Sequence, residues 1–312
     1  MRTYGPEQTR AALAWEPLLQ ALREMFHDGC EMPQRHHHTV PVPGAPDATL
    51  LLMPAWSVGQ FLGVKVLNVF PGNAERGLAS IAASYMLMSG TSGEMLALID
   101  GGELTARRMA AASALASSYL SRAGSEHLLI VGTGRLAGNL ADAHAAVRPL
   151  RRISVWGRHV EKAKDLADSL HVGDAEIQVV TDLAAAVGKA DIVSCATLAH
   201  QPLIHGSWLR PGTHLDLVGG FTPEMREADD EAVRRSSVFV DTFTGACSEA
   251  GDIVQPLESG ALEHTAIEAD LFGLVRGQHA GRESDQEITF FKSVGAALED
   301  LAAAVLVHRG GN

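Results

Sequence analysis

The residues of this chain best suited to chemistry fall into two groups. The first is the turn Gly132-Thr133-Gly134-Arg135-Leu136-Ala137, which follows the apolar run His127-Leu-Leu-Ile-Val131 and opens a helix-like stretch to about Ala146. A glycine at the first position permits a tight turn, and the second lets the backbone approach a pyrophosphate. A small residue at Ala137 lets helix and strand pack closely. The helix start then offers free N–H groups and a partial positive charge to phosphate. Gly132, Thr133, Gly134, Arg135 and Leu136 are therefore expected to bind a dinucleotide.

The next strand bears on which dinucleotide. NAD sites usually place an acid at its end, to hold the ribose hydroxyls. Here that strand ends Val155-Trp156-Gly157-Arg158-His159, without one. The Arg158 guanidinium suits bidentate recognition of a 2′-phosphate, so NADP(H) is the expected cofactor and NAD(H) the other possibility. A solvated surface arginine is the competing reading.

The second group is cationic: Arg35, Lys65 and Arg108. Lys65 interrupts the apolar run Phe61-Leu-Gly-Val-Lys-Val-Leu67. Strand alternation could turn it to water; if buried, it needs a partner or a function. Arg107 and Arg108 read as opening an Ala-rich helix, where cations oppose the helix dipole. An anionic ligand or a salt bridge would account for them.

The surrounding elements follow from periodicity. Glu7 to His27 reads as one amphipathic helix, and Thr49–Met53, Phe61–Val69, Ser84–Met88 and Met95–Ile99 read as strands. Asp100-Gly-Gly102 reads as a turn before a helix over Glu103–Leu120. From Glu126 the rhythm changes to strands at 127–131, 153–156, 177–180, 191–196, 214–218 and 238–241, alternating with helices at 160–170 and 183–187. That alternation predicts an α/β fold, a Rossmann-type doubly wound parallel sheet, preceded by an α+β unit. The run from Phe291 to His308 is expected to return as a helix.

Bulk properties narrow the function. The chain has 312 residues and a formal net charge of -12, which disfavours nucleic acid as a partner. No apolar run reaches a membrane span, and the first residues lack a secretory core. Three cysteines without CxxC spacing fit reduced thiols in a cytoplasm. His36-His37-His38 is not expected to bind metal, because successive strand side chains alternate faces. No metal site is expected elsewhere.

Several stretches together resemble the ornithine cyclodeaminase/mu-crystallin family. They are Leu52-Met-Pro-Ala55, Leu98-Ile-Asp-Gly101, Leu104-Thr-Ala-Arg-Arg-Met-Ala-Ala111, the glycine turn, Gly251-Asp252 and Phe290-Phe-Lys-Ser-Val-Gly295. The resemblance implies a substrate-binding and dimerisation domain over 1–112 with 290–312, and a Rossmann domain over 113–289. It also implies that Arg35, Lys65 and Arg108 bind a substrate carboxylate and that Thr197 lies along the cofactor groove. Ser293, Val294 and Gly295 would sit near the nicotinamide, and two copies would pair through the first domain.

One position departs from the family. Where cyclodeaminases and related alanine dehydrogenases carry a proton-transferring aspartate, the run Leu217-Val-Gly-Gly-Phe221-Thr-Pro-Glu224 has Phe221. A phenylalanine cannot act as a base; Glu224 or Asp216 are the nearby substitutes. A reductase of a preformed C=N bond needs only a hydride and one proton, so it tolerates this loss. The expected reaction is NAD(P)H-dependent reduction of a cyclic imino acid, 1-pyrroline-2-carboxylate or 1-piperideine-2-carboxylate, with Phe221 against the ring and Lys65 as proton donor. Ornithine cyclodeaminase, a non-catalytic NADP-binding crystallin-like protein and, less favoured, alanine dehydrogenase are the alternatives.

Overall fold

The computed structural model describes residues 1–310, apart from the side chains of Ala74 and Glu75. The chain divides into two units, Met1–Arg108 with Ala296–Asn312, and Met109–Gly295.

The first unit begins with β1 (Arg2–Tyr4), α1 (Pro6–Ala12) and α2 (Trp15–Asp28). The single N-terminal helix expected from periodicity is thus two, because Leu13 and Ala14 leave helical geometry; Leu18, Leu19, Leu22 and Phe26 form the buried stripe of α2. Then come β2 (His36–Val40), β3 (Ala48–Ser57), β4 (Phe61–Val69), β5 (Ile81–Ser89) and β6 (Met95–Asp100). They form one sheet in the order β1-β6-β5-β4-β3-β2, antiparallel except for the parallel β1–β6 pair. The His36-His37-His38 run lies in edge strand β2.

Helix α3 (Gly101–Leu120) starts directly from β6. Asp100-Gly-Gly102 is therefore not a separate turn: Asp100 Oδ1 accepts from Glu103 N at 2.6 Å and starts the helix. Arg107 and Arg108 consequently lie beyond the first turn, and the dipole does not explain them.

The second unit is a parallel sheet of eight strands. In chain order it comprises β7 (His127–Val131), α4 (Arg135–Ala145), β8 (Arg152–Trp156), α5 (Val160–Ser169), β9 (Glu176–Val179), α6 (Leu183–Val187), β10 (Ile192–Cys195) and β11 (His214–Leu217). There follow α7 (Asp230–Arg234), β12 (Ser237–Val240), α8 (Phe243–Glu249), α9 (Gly251–Ser259), β13 (Ile267–Asp270), α10 (Leu271–Val275) and β14 (Thr289–Lys292). The spatial order is β13-β12-β14-β11-β10-β7-β8-β9, so connections reverse direction between β7 and β10. Ligands bind such sheets at the carboxyl ends of the strands flanking this reversal.

The C-terminal helix α11 (Ala297–Gly310) returns to the first unit and packs on α2, β3, β4 and β5. Its start differs from the expected 291, because Thr289–Lys292 is a strand between β11 and β12 and Ser293–Gly295 stays with the second sheet. The Phe290-Phe291 pair suits either a buried helix or a buried strand, and only its two flanking strands decide it.

Candidate active site

At the reversal point of the parallel sheet is a cavity of about 430 Å³, lined by Gly132, Thr133, Gly134, Arg158 and Thr197 among others. Gly132 has φ +121°, and a Cβ there would lie 2.6 Å from Ala196 O. Only glycine permits that conformation and that approach to the β10 end. Nothing stands within 4 Å of a Cβ at Gly134, so its backbone faces open space. At Gly157 a Cβ would meet Thr133 Cγ2 at 2.5 Å, which keeps the β7 and β8 turns together. The bare backbone at the start of α4 fits a dinucleotide pyrophosphate. Arg135 and Leu136 form the first turn of α4. His159 and Lys162 join Arg158 along the cavity, where sequence reasoning singled out Arg158 alone.

The turns beyond β10 and β11 are held by a buried acid that sequence reasoning missed. Glu227 Oε1 accepts from Thr197 N at 2.7 Å and Thr197 Oγ1 at 2.8 Å. Its Oε2 accepts from Gly219 N at 2.8 Å and Gly220 N at 3.4 Å. Lys292 Nζ lies 3.8 Å from Glu227 Oε2 and 2.9 Å from Asp252 Oδ2. Asp252 Oδ1 in turn accepts from Glu227 N and Ala228 N at 2.8 and 3.0 Å. Burial pushes the Glu227 carboxyl up from its ordinary value and Asp252 adds to that push, while Lys292 and the two Thr197 donors pull it back down. Burial works against the Lys292 ammonium, but the charges on Asp252 and Glu227 outweigh it and hold Lys292 above its ordinary range.

The two acids named above as substitutes for the missing aspartate lie in different settings. Glu224 is exposed. Asp216 is fully buried within β11 and accepts from Ser113 Oγ at 2.9 Å and Ser194 Oγ at 2.5 Å, with His144 Nε2 at 3.3 Å. Phe221 is half-buried and packs on the apolar core of the second unit. Ser293, Val294 and Gly295 form a tight turn after β14, where Ser293 Oγ and the two backbone N–H groups of Val294 and Gly295 donate to Asp241 Oδ2 at 2.7–3.0 Å.

The first unit carries the cations. Lys65 sits in β4 on the side facing α11, only 1% exposed, so alternation points it inward rather than to water. Its Nζ lies 2.7 Å from Asp300 Oδ2. Arg108, equally buried, donates from Nε to Asp300 Oδ1 at 2.8 Å and from Nη1 to Glu299 Oε2 at 2.6 Å. Burial first, then the positive charge of Arg108, lower the Lys65 ammonium to about 8; Asp300 opposes them and Arg35 adds a smaller push. Arg35 is half-exposed and close enough to Lys65 to be felt electrostatically. Arg107 plays a different part: it donates to Leu13 O and stacks 3.6 Å from the Trp15 ring centroid, pinning the α1–α2 junction to α3. Glu299 and Asp300 were not singled out from the sequence, which expected them inside a helix beginning at Phe291; the helix begins at Ala297 and puts both acids in its first turn.

An eight-stranded parallel sheet with a glycine turn at its reversal point, preceded by a unit with buried cations, defines a two-unit oxidoreductase. The chain belongs to the ornithine cyclodeaminase/mu-crystallin family, whose sequence profile matches residues 6–310. It is 41% identical to a delta(1)-pyrroline-2-carboxylate reductase of Paracoccus denitrificans, over 98% of this chain and 95% of the relative. Among solved structures it resembles the delta(1)-pyrroline-2-carboxylate reductase of Thermococcus litoralis in complex with NADH and L-proline. That likeness has a TM-score of 0.90 and 33% identity, covering 100% of this chain and 97% of the other. An archaeal alanine dehydrogenase dimer with bound NAD matches with a TM-score of 0.90 and 26% identity, over 99% and 95% of the two chains.

Proposed function

We propose that this protein reduces a cyclic imino acid, 1-pyrroline-2-carboxylate or its six-membered homologue 1-piperideine-2-carboxylate, to the corresponding proline- or pipecolate-type amino acid. The reduced nicotinamide nucleotide, when bound, supplies the hydride to the imine carbon. Arg35, Lys65 and Arg108 bind the substrate carboxylate, and Phe221 packs against the ring methylenes. Lys65 delivers the proton to the ring nitrogen. Its ammonium, lowered to about 8, stays protonated at neutral pH yet gives up its proton more readily than an exposed lysine. Asp300 and Glu299 hold Lys65 and Arg108 in place.

The observation that carries this reading is the absence of an acid at position 221, together with the engagement of the buried acids Asp216 and Glu227. Asp216 and Glu227 have their oxygens occupied by hydrogen bonds, and Phe221 stands at the family's acidic position. Deamination of ornithine needs such a group; reduction of a preformed C=N bond does not. The relatives that bear the reductase name support the same choice.

NADPH is the favoured reductant, supported by the Arg158, His159 and Lys162 cluster and the missing acid after β8, with NADH the other candidate. The working form is a homodimer joined through the first unit. Leu52, Pro54, Trp56, Leu62, Val64, Val66, Met86 and Leu98 all lie on the sheet face opposite Lys65 and remain only half-buried. An apolar sheet face of that size needs a cover, and a second copy supplies one. Three free cysteines fit a cytoplasmic setting.

The test is NADPH and NADH oxidation followed at 340 nm with 1-pyrroline-2-carboxylate, beside ornithine with NAD. Turnover of the imine that falls by about 100-fold or more in Arg108→Lys establishes the reaction and the clamp. Proline formation from ornithine alone would overturn the reading in favour of cyclodeaminase.

A further inference from the structure

We propose that Glu227 is the positioning residue of the nucleotide site, its single carboxylate fastening the turn beyond β10 to the turn beyond β11. This rests on the reading of the Gly132–Gly134 cavity as a nucleotide site. Thr197 lines that cavity, and both its backbone N–H and its hydroxyl donate to one oxygen of Glu227. The other oxygen takes the N–H groups of Gly219 and Gly220, directly before Phe221. Four donors on one carboxylate exhaust its useful lone pairs, so Glu227 acts through the turns it holds and is not a proton donor to substrate.

Three glycines allow the close packing around this contact. A Cβ on Gly219 would stand 2.0 Å from Thr197 O and 2.5 Å from Glu227 Oε1. One on Gly220 would come within 3.0 Å of Asp252 Oδ2 and 3.4 Å of Lys292 Nζ. The segment leading to Glu227 is held from the other side: Gly251 N donates to Thr222 O, and a Cβ at Gly251 would lie 2.1 Å from Met225 O. Lys292 supplies the counter-charge and Asp252 grips the Glu227 backbone. Two loops that have no hydrogen-bonded ladder beyond the strand ends thus share one charged anchor, and Thr197 is fixed before any ligand arrives.

Glu227→Gln is the sharpest test, because an amide cannot accept at both ends. Its NH₂ must face either the Thr197 donors or the glycine donors, and that turn is released. Nucleotide affinity is read directly from NADH and NADPH fluorescence, without any imine, and folding from thermal melting. Glu227→Gln should raise the Kd for both nucleotides by about tenfold or more, as expected for losing hydrogen bonds to a charged group. Thr197→Val should raise it by about threefold, while Thr197→Ser, which keeps the hydroxyl, should match the natural protein. A folded Glu227→Gln protein that binds within twofold of the natural one would overturn the proposal. Should that variant fail to fold, equal affinities in Thr197→Val and Thr197→Ser would overturn it instead. Absence of nucleotide binding in the natural protein would remove the site itself, a result distinct from either.

Discussion

Lys65 Nζ lies 2.7 Å from Asp300 Oδ2, and both side chains are within 1% of complete burial. A lysine on a strand and an aspartate in the first turn of the C-terminal helix thereby make one buried ion pair, which Arg108 shares through the other Asp300 oxygen. The pair decides whether Lys65 can hold a proton at all, since burial and Arg108 both work against it.

Asp300→Asn removes that support, so the Lys65 ammonium should fall below about 8. The protonated donor predominates below the Lys65 pKa and is lost as pH rises through it. The alkaline limb of kcat/KM for imine reduction should therefore sit near 8 in the natural protein and move to lower pH in Asp300→Asn. Stability should drop by about 3–5 kcal/mol, because two buried cations lose a shared partner. A limb that stays in place would take Lys65 out of proton delivery.

Arg158→Asp tests the reductant. Reversing charge beside the cavity should lower kcat/KM with NADPH by about 100-fold while leaving NADH within a few-fold, because only NADPH carries the 2′-phosphate. Lys162→Ala should act in the same direction and more weakly. Parallel losses with both nucleotides would assign Arg158 a general role instead.

Gly63 and Tyr85 show how closely the first sheet is packed. A Cβ on Gly63 would fall 2.0 Å from the Tyr85 hydroxyl oxygen, so Gly63→Ala should cost about 1–3 kcal/mol in thermal or denaturant unfolding. The Tyr85 hydroxyl is fully buried and has no hydrogen-bond partner among the described residues. Tyr85→Phe should accordingly be neutral or raise stability by about 1 kcal/mol. A clear loss of stability would mean the hydroxyl is satisfied by a bound water.

Val64→Asp places a charge in the middle of the open apolar face, opposite the side that carries Lys65. It should shift the protein from dimer to monomer in sedimentation equilibrium at micromolar concentration. A natural protein that sediments as a monomer would show that this face has another cover.

Much of the second unit was legible in the sequence because its signals are local. The apolar run 127–131, the glycine turn and the following strand–helix rhythm each lie within a short window, and each corresponds to an element of the parallel sheet. The exceptions are instructive. Thr289–Lys292 became a strand because β11 and β12 offer it two edges, and Asp100-Gly-Gly102 entered a helix because the Asp100 side chain could accept from the first turn.

The sequence by itself determined the residue types at the turn and the clamp: where a backbone can approach phosphate, and which cations interrupt apolar runs. Only the tertiary structure decided what those cations face. Lys65 meets Asp300 across 235 positions of chain, and Thr197 meets Glu227 across thirty. An acid's role depends on which donors surround it and how far it is from water, and both are set by packing between segments remote in sequence. The weight of Glu227, Glu299 and Asp300 therefore shows only once the fold has removed them from solvent.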